Sequence, residues 1–394
     1  MSEQRSRPEH TAVPFLRDVR VLGIITQAVV LGIVLLVGLW LLNNMTTSMD
    51  ARGLTPNFTF LRVTSGVEIS EKLIPYEPSD TYAHALLIGL LNTIMVGIVG
   101  IFLATVLGLI IGIARLSQNW LVNKLALGYV ELFRNTPLLL QLLVIYFVVF
   151  LQFPAIREAI RLPGSIYLSQ RGLNMPRPEL AGDGAVWLAL VIIGIVAFGA
   201  LWFSAGRREA AGRPAGRRRW LAVAILFGMP VVGWVVIGDP LTFEQPVLGT
   251  FNLTGGLRFT PEFAALVTGL ALYHAAFIAE YIRGGILSVD KGQIEASRAV
   301  GLKESETMRL VILPQALRVI IPPLTSEYLS LIKNSSLALA IGYADLFNVS
   351  RTVAEQTGQA VAVIIFVMAI YLSISLITSA LMNLYNRRVQ LVQR

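Results

Sequence analysis

The sequence predicts an all-α, polytopic membrane protein with about eight transmembrane helices. Three observations carry that prediction. Hydrophobic residues make up 55% of the 394 positions and charged residues only 14%, against about 25% charged in soluble domains. The mean hydropathy is +0.68. Uncharged runs recur along the chain, such as the 29 residues of Leu86–Ala114, and about 18 to 20 apolar residues suffice for a helix to cross a bilayer. Lipid leaves each backbone donor and acceptor to be satisfied internally, which favours helices, and the alternation of a membrane β-strand is absent.

The spans follow in order. Residues 1–20 are polar with four arginines, and the apolar run after them, about 21–42, is too long for the core of a cleavable signal. It reads as the first anchor. Residues 43–85 form a polar connector containing Leu73-Ile74-Pro75-Tyr76. The second span lies within 86–114 and carries Gly108-xxx-Gly112, a spacing that permits close helix contact. The third covers about 132–153 and has Pro137 near its start. Proline removes a backbone donor and clashes with the preceding turn, so a kink or break is expected at Asn135–Pro137.

Residues 154–185, with four arginines and no long apolar run, read as an extramembrane loop. The fourth and fifth spans are about 186–203 and 220–238, joined by residues 206–219 with six arginines. That turn sets topology and offers charge to anionic lipid. A second polar loop covers 239–261, and the remaining spans are about 262–287, 321–342 and 360–384. Lys and Arg concentrate on cytoplasmic loops. Of 32 such residues, 20 fall on the N-terminal side of this topology, 9 on the opposite side and 3 within or beside spans. Both termini and residues 288–320 are therefore expected in the cytoplasm.

Several chemistries are excluded or disfavoured. There is no cysteine, hence no disulfide or thiolate. His10, His84 and His274 lie far apart in sequence and do not suggest a metal site. No G-x-x-x-x-G-K-[ST] motif occurs, nor any Gly-Lys pair, so a P-loop nucleotide cradle is missing. No nucleophile–base pair stands out, and the chain is expected to be no enzyme by itself. Nucleic acid is not an expected partner, because the +8 net charge is distributed as membrane topology requires.

Within 286–346 a polar, charged patch, expected to be helical, separates two apolar segments. Glu295-Ala296-Ser297 is followed after three residues by Gly301, and after nine more by Val311-Ile312-Leu313-Pro314. This resembles the EAA loop of ATP-binding-cassette (ABC) importer permeases, with Ser297 in place of the last alanine and Val311 in place of an isoleucine. Residues 89–117, 129–147, 273–302 and 313–346 resemble the polar amino-acid uptake permeases, the histidine/glutamine/arginine permease family. Leu73–Tyr76 and residues 169–178 resemble its general L-amino-acid subgroup, which has extra helices. The resemblance implies a type I importer core of five helices (spans two, three, six, seven and eight) plus three extra. It divides the chain into an extra helix and connector (1–80), the first core part (81–153), an insert with two extra helices (154–259), and the second core part (260–394) with the coupling loop at about 288–314.

The resemblance also implies function and partners. The chain would be the permease of an importer carrying polar or broad-range L-amino acids inward across a bacterial inner membrane. Two separate ATPase subunits would hold the ATP and Mg, a periplasmic solute-binding protein would deliver substrate, and a second permease would complete a heterodimer. No cofactor is expected in this chain. Another small polar solute, or an ion-coupled secondary transporter, remain the alternatives. Coupling to the ATPase is expected from Glu295, Ala296, Ser297, Gly301, Leu313 and Pro314. Residues 293–300 have the pattern of a short helix that Gly301 can end, glycine tolerating a positive φ. Residues 308–313 are expected as a second helical piece limited by Pro314.

The translocation path is expected among polar residues within spans. Lys333, Asn334, Ser335 and Ser336 are placed midway along the seventh span, where a lysine is costly unless it faces protein or water. Glu280 and His274 lie in the sixth span with Arg283, Asn92 and Thr93 in the second, and Asn135, Thr136 and Gln141 in the third. An amino-acid zwitterion needs donors for its carboxylate, available from Lys333 and Asn334, and an acceptor for its ammonium, available from Glu280. The alternative for Glu280, Arg283 and Lys333 is that they pair with one another or with helix ends.

Overall fold

The computed structural model describes residues 19–51, 57–210, 213–249 and 253–389. His10, the head arginines Arg5, Arg7 and Arg17, Arg52, and Arg394 lie outside the described residues. Helix α1 runs over Val19–Ala51 and α2 over Tyr82–Ala114. Thr81 caps α2 by accepting the His84 backbone N–H at 3.4 Å. Then come α3 (Trp120–Asn135) and α4 (Leu138–Val144), the latter continued by a π turn and a 3-10 turn to Gln152. Strands β1 (Ile160–Leu162), β2 (Ile166–Ser169), β3 (Gly172–Met175) and β4 (Arg177–Leu180) precede the helices α5 (Gly184–Ala210) and α6 (Gly216–Ile237). Strands β5 (Leu241–Glu244), β6 (Val247–Leu248), β7 (Leu253–Thr254) and β8 (Leu257–Phe259) lead into α7 (Pro261–Leu287). The chain closes with α8 (Lys291–Ala299), α9 (Glu304–Thr307), α10 (Leu313–Asn334), α11 (Leu346–Thr357) and α12 (Ala360–Val389).

Seven of the described helices are long and apolar enough to cross a membrane, or eight if a bent pair is one span. That pair is Trp120–Asn135 with Leu138–Gln152, bent by 106°. The break falls where Pro137 forbids a continuous helix. The expected third span starts too early, because residues 120–135 form a separate amphipathic helix. Exposed Trp120, Leu121 and Leu125 lie on α3, a helix with too many polar positions to register as a span in the sequence.

Three further boundaries differ from expectation. Pro314 does not end a helix but stands at the start of α10, directly after a π turn over Met308–Ile312, an irregularity of the kind that accompanies proline within a continuing helix. The two segments expected as plain loops, 154–185 and 239–261, contain the strands. An antiparallel sheet of order β1-β2-β3-β8 joins the two loops, and β4 pairs with β5. Strands of two to four residues carry almost no periodic signal. Finally, α11 occupies the segment after Ile341, capped by Asp345, which accepts the Asn348 N–H at 2.9 Å.

The core forms around α2 and α7, with α10 against both. Val96, Leu266, Leu270, Ile278 and Leu331 are buried at its centre. A second cluster, including Leu86, Ile88, Val349 and Val363, joins α2 to α11, α12 and the connector. The α2–α7 approach depends on glycine as the Gly108-xxx-Gly112 spacing foretells. A Cβ on Gly108 would lie 2.7 Å from Ile278 Cβ, and one on Gly112 3.0 Å from the Ala279 carbonyl oxygen. Gly108→Leu should therefore force the helices apart and destabilise the fold by about 1–3 kcal/mol. The unfolding midpoint of the detergent-solubilised protein checks this; an unchanged midpoint would mean that the helices slide without loss. Helices α5 and α6 pack chiefly on each other. Trp187 and Trp234 meet edge to face at 5.8 Å, and Trp187 Nε1 donates to the Pro230 carbonyl at 2.9 Å.

Candidate coupling surface and translocation path

The stretch expected to couple is a helix–turn–helix between α7 and α10, formed by α8 and α9. Asp290 starts α8 by accepting the Gly292 N–H at 2.6 Å. The turn after α8 is closed by the Gly301 N–H on the Arg298 carbonyl (2.9 Å) and the Leu302 N–H on the Ser297 carbonyl (3.1 Å). Gly301 has φ +83°, and a Cβ there would touch nothing within 4 Å. Its requirement is thus one of backbone conformation, not of space. Ser297, which departs from the EAA pattern, is buried; its hydroxyl donates to the Ile294 carbonyl at 2.7 Å and lies 3.0 Å from Thr307 Oγ1. This hydroxyl pair ties α8 to α9. Glu306 secures the start of α9 by accepting the Lys303 N–H at 2.9 Å.

Glu295 and Ala296 are exposed on the opposite side of α8. Beside them, apolar Val300 is 76% exposed and Leu310 61%. Leu313 is also exposed, whereas Pro314 is half-buried. Val300 closes α8, whereas Leu310 stands in the π turn that leads into α10; an exposed apolar side chain at such a turn gains by being covered. Among the six expected coupling residues, Glu295, Ala296 and Leu313 face outward, while Ser297 and Gly301 hold the turn in shape.

The expected path residues divide into three groups. Asn92 and Thr93 are buried and structural: Asn92 Nδ2 donates to the Glu71 and Ala344 carbonyls at 2.9 Å each, and Thr93 Oγ1 accepts the Leu346 N–H at 3.0 Å. Asn135, Thr136 and Gln141 attend the broken span. Asn135 donates to Glu131 Oε2 at 2.7 Å and Thr136 to the Leu132 carbonyl at 2.9 Å. Gln141 Nε2 bridges the gap to the Phe133 carbonyl at 2.9 Å and the Thr136 carbonyl at 3.1 Å, while its Oε1 is buried without a partner among the described residues.

The third group joins α7 to α10. His274, 1% exposed, places Nδ1 2.6 Å from Glu327 Oε1, and its Nε2 lies 3.3 Å from Asn334 Nδ2. Tyr281 donates to Glu327 Oε2 at 3.0 Å. His274 and Asn334 are thus brought together as two path candidates. Lys333–Ser336 are not midway along a span. Because α10 starts at Leu313, Lys333 and Asn334 end it, and a 3-10 turn begins at Ser335. Ser335 and Ser336 bond back to the Ile332 and Lys333 carbonyls at 2.9 and 2.8 Å. Lys333 is exposed, and its ammonium makes no hydrogen bond or ion pair among the described residues. Glu280 does pair, with Arg115 at 3.1 Å and Arg283 at 2.9 Å, so its oxygens are already engaged by two guanidiniums.

Comparisons with known proteins identify the family. Residues 220–391 match the family described as binding-protein-dependent transport system inner membrane component. The chain is 47% identical over 368 residues to the general L-amino acid transport system permease protein AapQ of Rhizobium johnstonii, covering 93% of this chain and 92% of AapQ. The chain belongs to this family of ABC importer permeases. It is also 46% identical to the putative amino-acid ABC transporter permease protein YhdX of Escherichia coli, over 93% of this chain and 94% of YhdX. Likeness to the glutamate/glutamine/aspartate/asparagine transport system permease protein BztB of Rhodobacter capsulatus is 40%, over 96% of both chains.

The permease is therefore a multi-pass membrane component of an ABC importer. Its helices α1, α5 and α6 and its strands fall within the matched length of these relatives. Two site features escape the sequence reading. Glu327 looks like one polar position in a proline-interrupted helix, and only the fold sets it against His274, 53 positions away. Tyr281 stands one position from the Glu280 that drew attention, yet faces Glu327 instead. A helical wheel would have placed His274 and Tyr281, seven residues apart, on one face.

Proposed function

We propose that this permease is the membrane subunit through which an importer moves amino acids, polar or of broad L-type range, into the cytoplasm. The observation that carries the substrate class is the likeness to AapQ across 93% of the chain, connector and insert included. Two ATPase subunits bearing ATP and Mg dock on the α8–α9 turn, where Val300 is left uncovered. A second permease of different length completes a heterodimer, and a periplasmic solute-binding protein meets the opposite end. The membrane is the bacterial inner membrane with both termini cytoplasmic, as the charge asymmetry requires. The core comprises α2, the bent α3–α4 pair, α7, α10 and α12, with α1, α5 and α6 peripheral and bathed in lipid.

The path follows the α7–α10 seam, and Lys333 supports it. An unpaired ammonium within a span costs about 2.5–3.5 kcal/mol and persists only opposite water or a partner. Lys333→Met should cut ATP-driven amino-acid uptake about tenfold or more while the complex still assembles. Unchanged uptake kinetics would return Lys333 to a purely structural role. The whole reading is tested by purifying the intact complex and identifying its subunits and bound small molecule by mass spectrometry. Recovery of a non-amino-acid solute would replace the substrate class. Uptake by this chain alone in proteoliposomes, following an ion gradient without ATP, would overturn the ABC mechanism.

A further inference from the structure

The end of the core opposite the coupling turn carries a cavity of about 360 Å³, within the range of about 300–1,000 Å³ typical of small-molecule sites. Its floor belongs to the core, with Asn92 of α2, Phe263 of α7 and Tyr343. Its walls do not. Glu71 comes from the connector, Arg177 from β4 and Arg258 from β8. Glu71 and Arg258 also line an adjoining cavity of about 480 Å³ that reaches Glu262. The connector and the strand-bearing insert, otherwise additions to a five-helix core, thus meet over the core and close a chamber there.

The chamber presents both signs of charge, and its Glu71 and Arg258 form no ion pair with each other among the described residues. Arg258 has no carboxylate within ion-pair distance among the described residues, and Arg177 reaches its nearest, Glu179, only at 3.9 Å. The register Asn174↔Arg258 in the β3–β8 pair fixes the backbone from which the exposed Arg258 side chain extends. Glu71 is held from the other side by the Thr260 hydroxyl, which donates to Glu71 Oε1 at the start of α7. Burial pushes the Glu71 carboxyl above its ordinary range and neighbouring Glu262 adds to this, while the Thr260 bond and the more distant charge of Arg258 oppose it. A carboxylate desolvated beside another carboxylate gains from an arriving cation. Lys72, the other cation on the wall, is already engaged by the Tyr76 carbonyl at 2.9 Å.

A separated acceptor and donor over an apolar floor suit a molecule with one anionic and one cationic group and a variable remainder. We propose that this chamber is an outer amino-acid site, built by the connector and insert, that holds the α-carboxylate on Arg258 and the α-ammonium on Glu71. The inference rests on the reading that the permease carries amino acids. Arg258 offers paired donors to a carboxylate. Phe263 and Tyr343 leave the side chain free of specific polar demands, which fits a broad range of substrates.

The test uses the detergent-purified complex without binding protein and radiolabelled L-glutamine as probe. Arg258→Leu and Glu71→Gln should each weaken binding at least tenfold, and Arg258→Lys should fall between wild type and Arg258→Leu. Glu71→Gln keeps an acceptor for Thr260, so it guards against a folding artefact at Arg258. The decarboxylated analogue should compete poorly against wild type but no worse than L-glutamine against Arg258→Leu. Wild-type affinity in both Arg258→Leu and Glu71→Gln, or no binding by the wild-type complex, would overturn the site. Uptake distinguishes the two failures. If reconstituted wild type still imports L-glutamine with ATP and binding protein, only the chamber reading falls; if it imports no amino acid at all, the substrate class falls with it.

Discussion

Gly301→Val should abolish transport while leaving the protein in the membrane. Gly301 sits at φ +83° between α8 and α9, a conformation that costs a β-branched residue about 1–3 kcal/mol. The strain cannot be relieved by making room, since nothing lies within 4 Å of the added Cβ. The turn itself must move. That movement breaks the closure by the Gly301 and Leu302 N–H groups and pulls Ser297 from Thr307. Glu295, Ala296 and Val300 then no longer form one surface, and ATP hydrolysis ceases to follow substrate. We expect substrate-stimulated ATPase activity and uptake in the reconstituted complex to fall at least 100-fold. Gly301→Asn separates two causes, because asparagine tolerates the left-handed region. Coupling retained in Gly301→Asn means that conformation alone matters. Coupling lost to the same degree as in Gly301→Val means that the docked partner presses against this position. Normal stimulated hydrolysis in Gly301→Val would remove the α8–α9 turn from the coupling mechanism.

What the sequence discloses and conceals follows from the range of each interaction. The long apolar runs, the break at Pro137 and the end of α8 at Gly301 are local: each depends on residues adjacent in the chain. Ser297 is harder to judge, because a serine in an otherwise alanine position looks like loss of pattern. Its partner Thr307 is ten positions on, and the exchange becomes intelligible only when α9 folds back. Lys333 lies at the end of α10 and not midway along a span, because the helix begins before Pro314 instead of near residue 321. The His274–Glu327 pair and the chamber over the core are entirely non-local. Glu71 and Thr260 are 189 positions apart, and no periodicity joins a connector to an insert. The strands escape notice for a different reason: two to four residues bounded by glycine and proline give too few alternations to separate a strand from a loop.

The ion cluster at the coupling end yields the second large effect. Glu280 of α7 accepts from Arg115 Nε at 3.1 Å, where Arg115 is the residue that ends α2, and from Arg283 Nη2 at 2.9 Å. The side chains of Arg115 and Glu280 are only 14% and 16% exposed. Arg115 also donates to Asn123 Oδ1 at 3.3 Å, and Asn123 Nδ2 returns a bond to the Arg115 carbonyl at 2.6 Å. One carboxylate thus ties α7 to the end of α2 and, through Arg115 and Asn123, to α3. Glu280→Leu leaves two poorly hydrated guanidiniums facing each other, and breaking a buried pair from one side costs about 3–5 kcal/mol. With Arg283 32% exposed, the lower end of that range applies. We expect a lower unfolding midpoint and loss of most uptake in Glu280→Leu. Arg283→Leu alone should cost far less, because Glu280 keeps Arg115. Adding Arg283→Leu to Glu280→Leu should recover part of the stability by removing one stranded charge. This non-additivity distinguishes an ion-paired brace from a substrate acceptor. If Glu280 instead received the ammonium of a passing amino acid, Glu280→Leu would lower uptake with no change in the midpoint, and the second substitution would restore nothing.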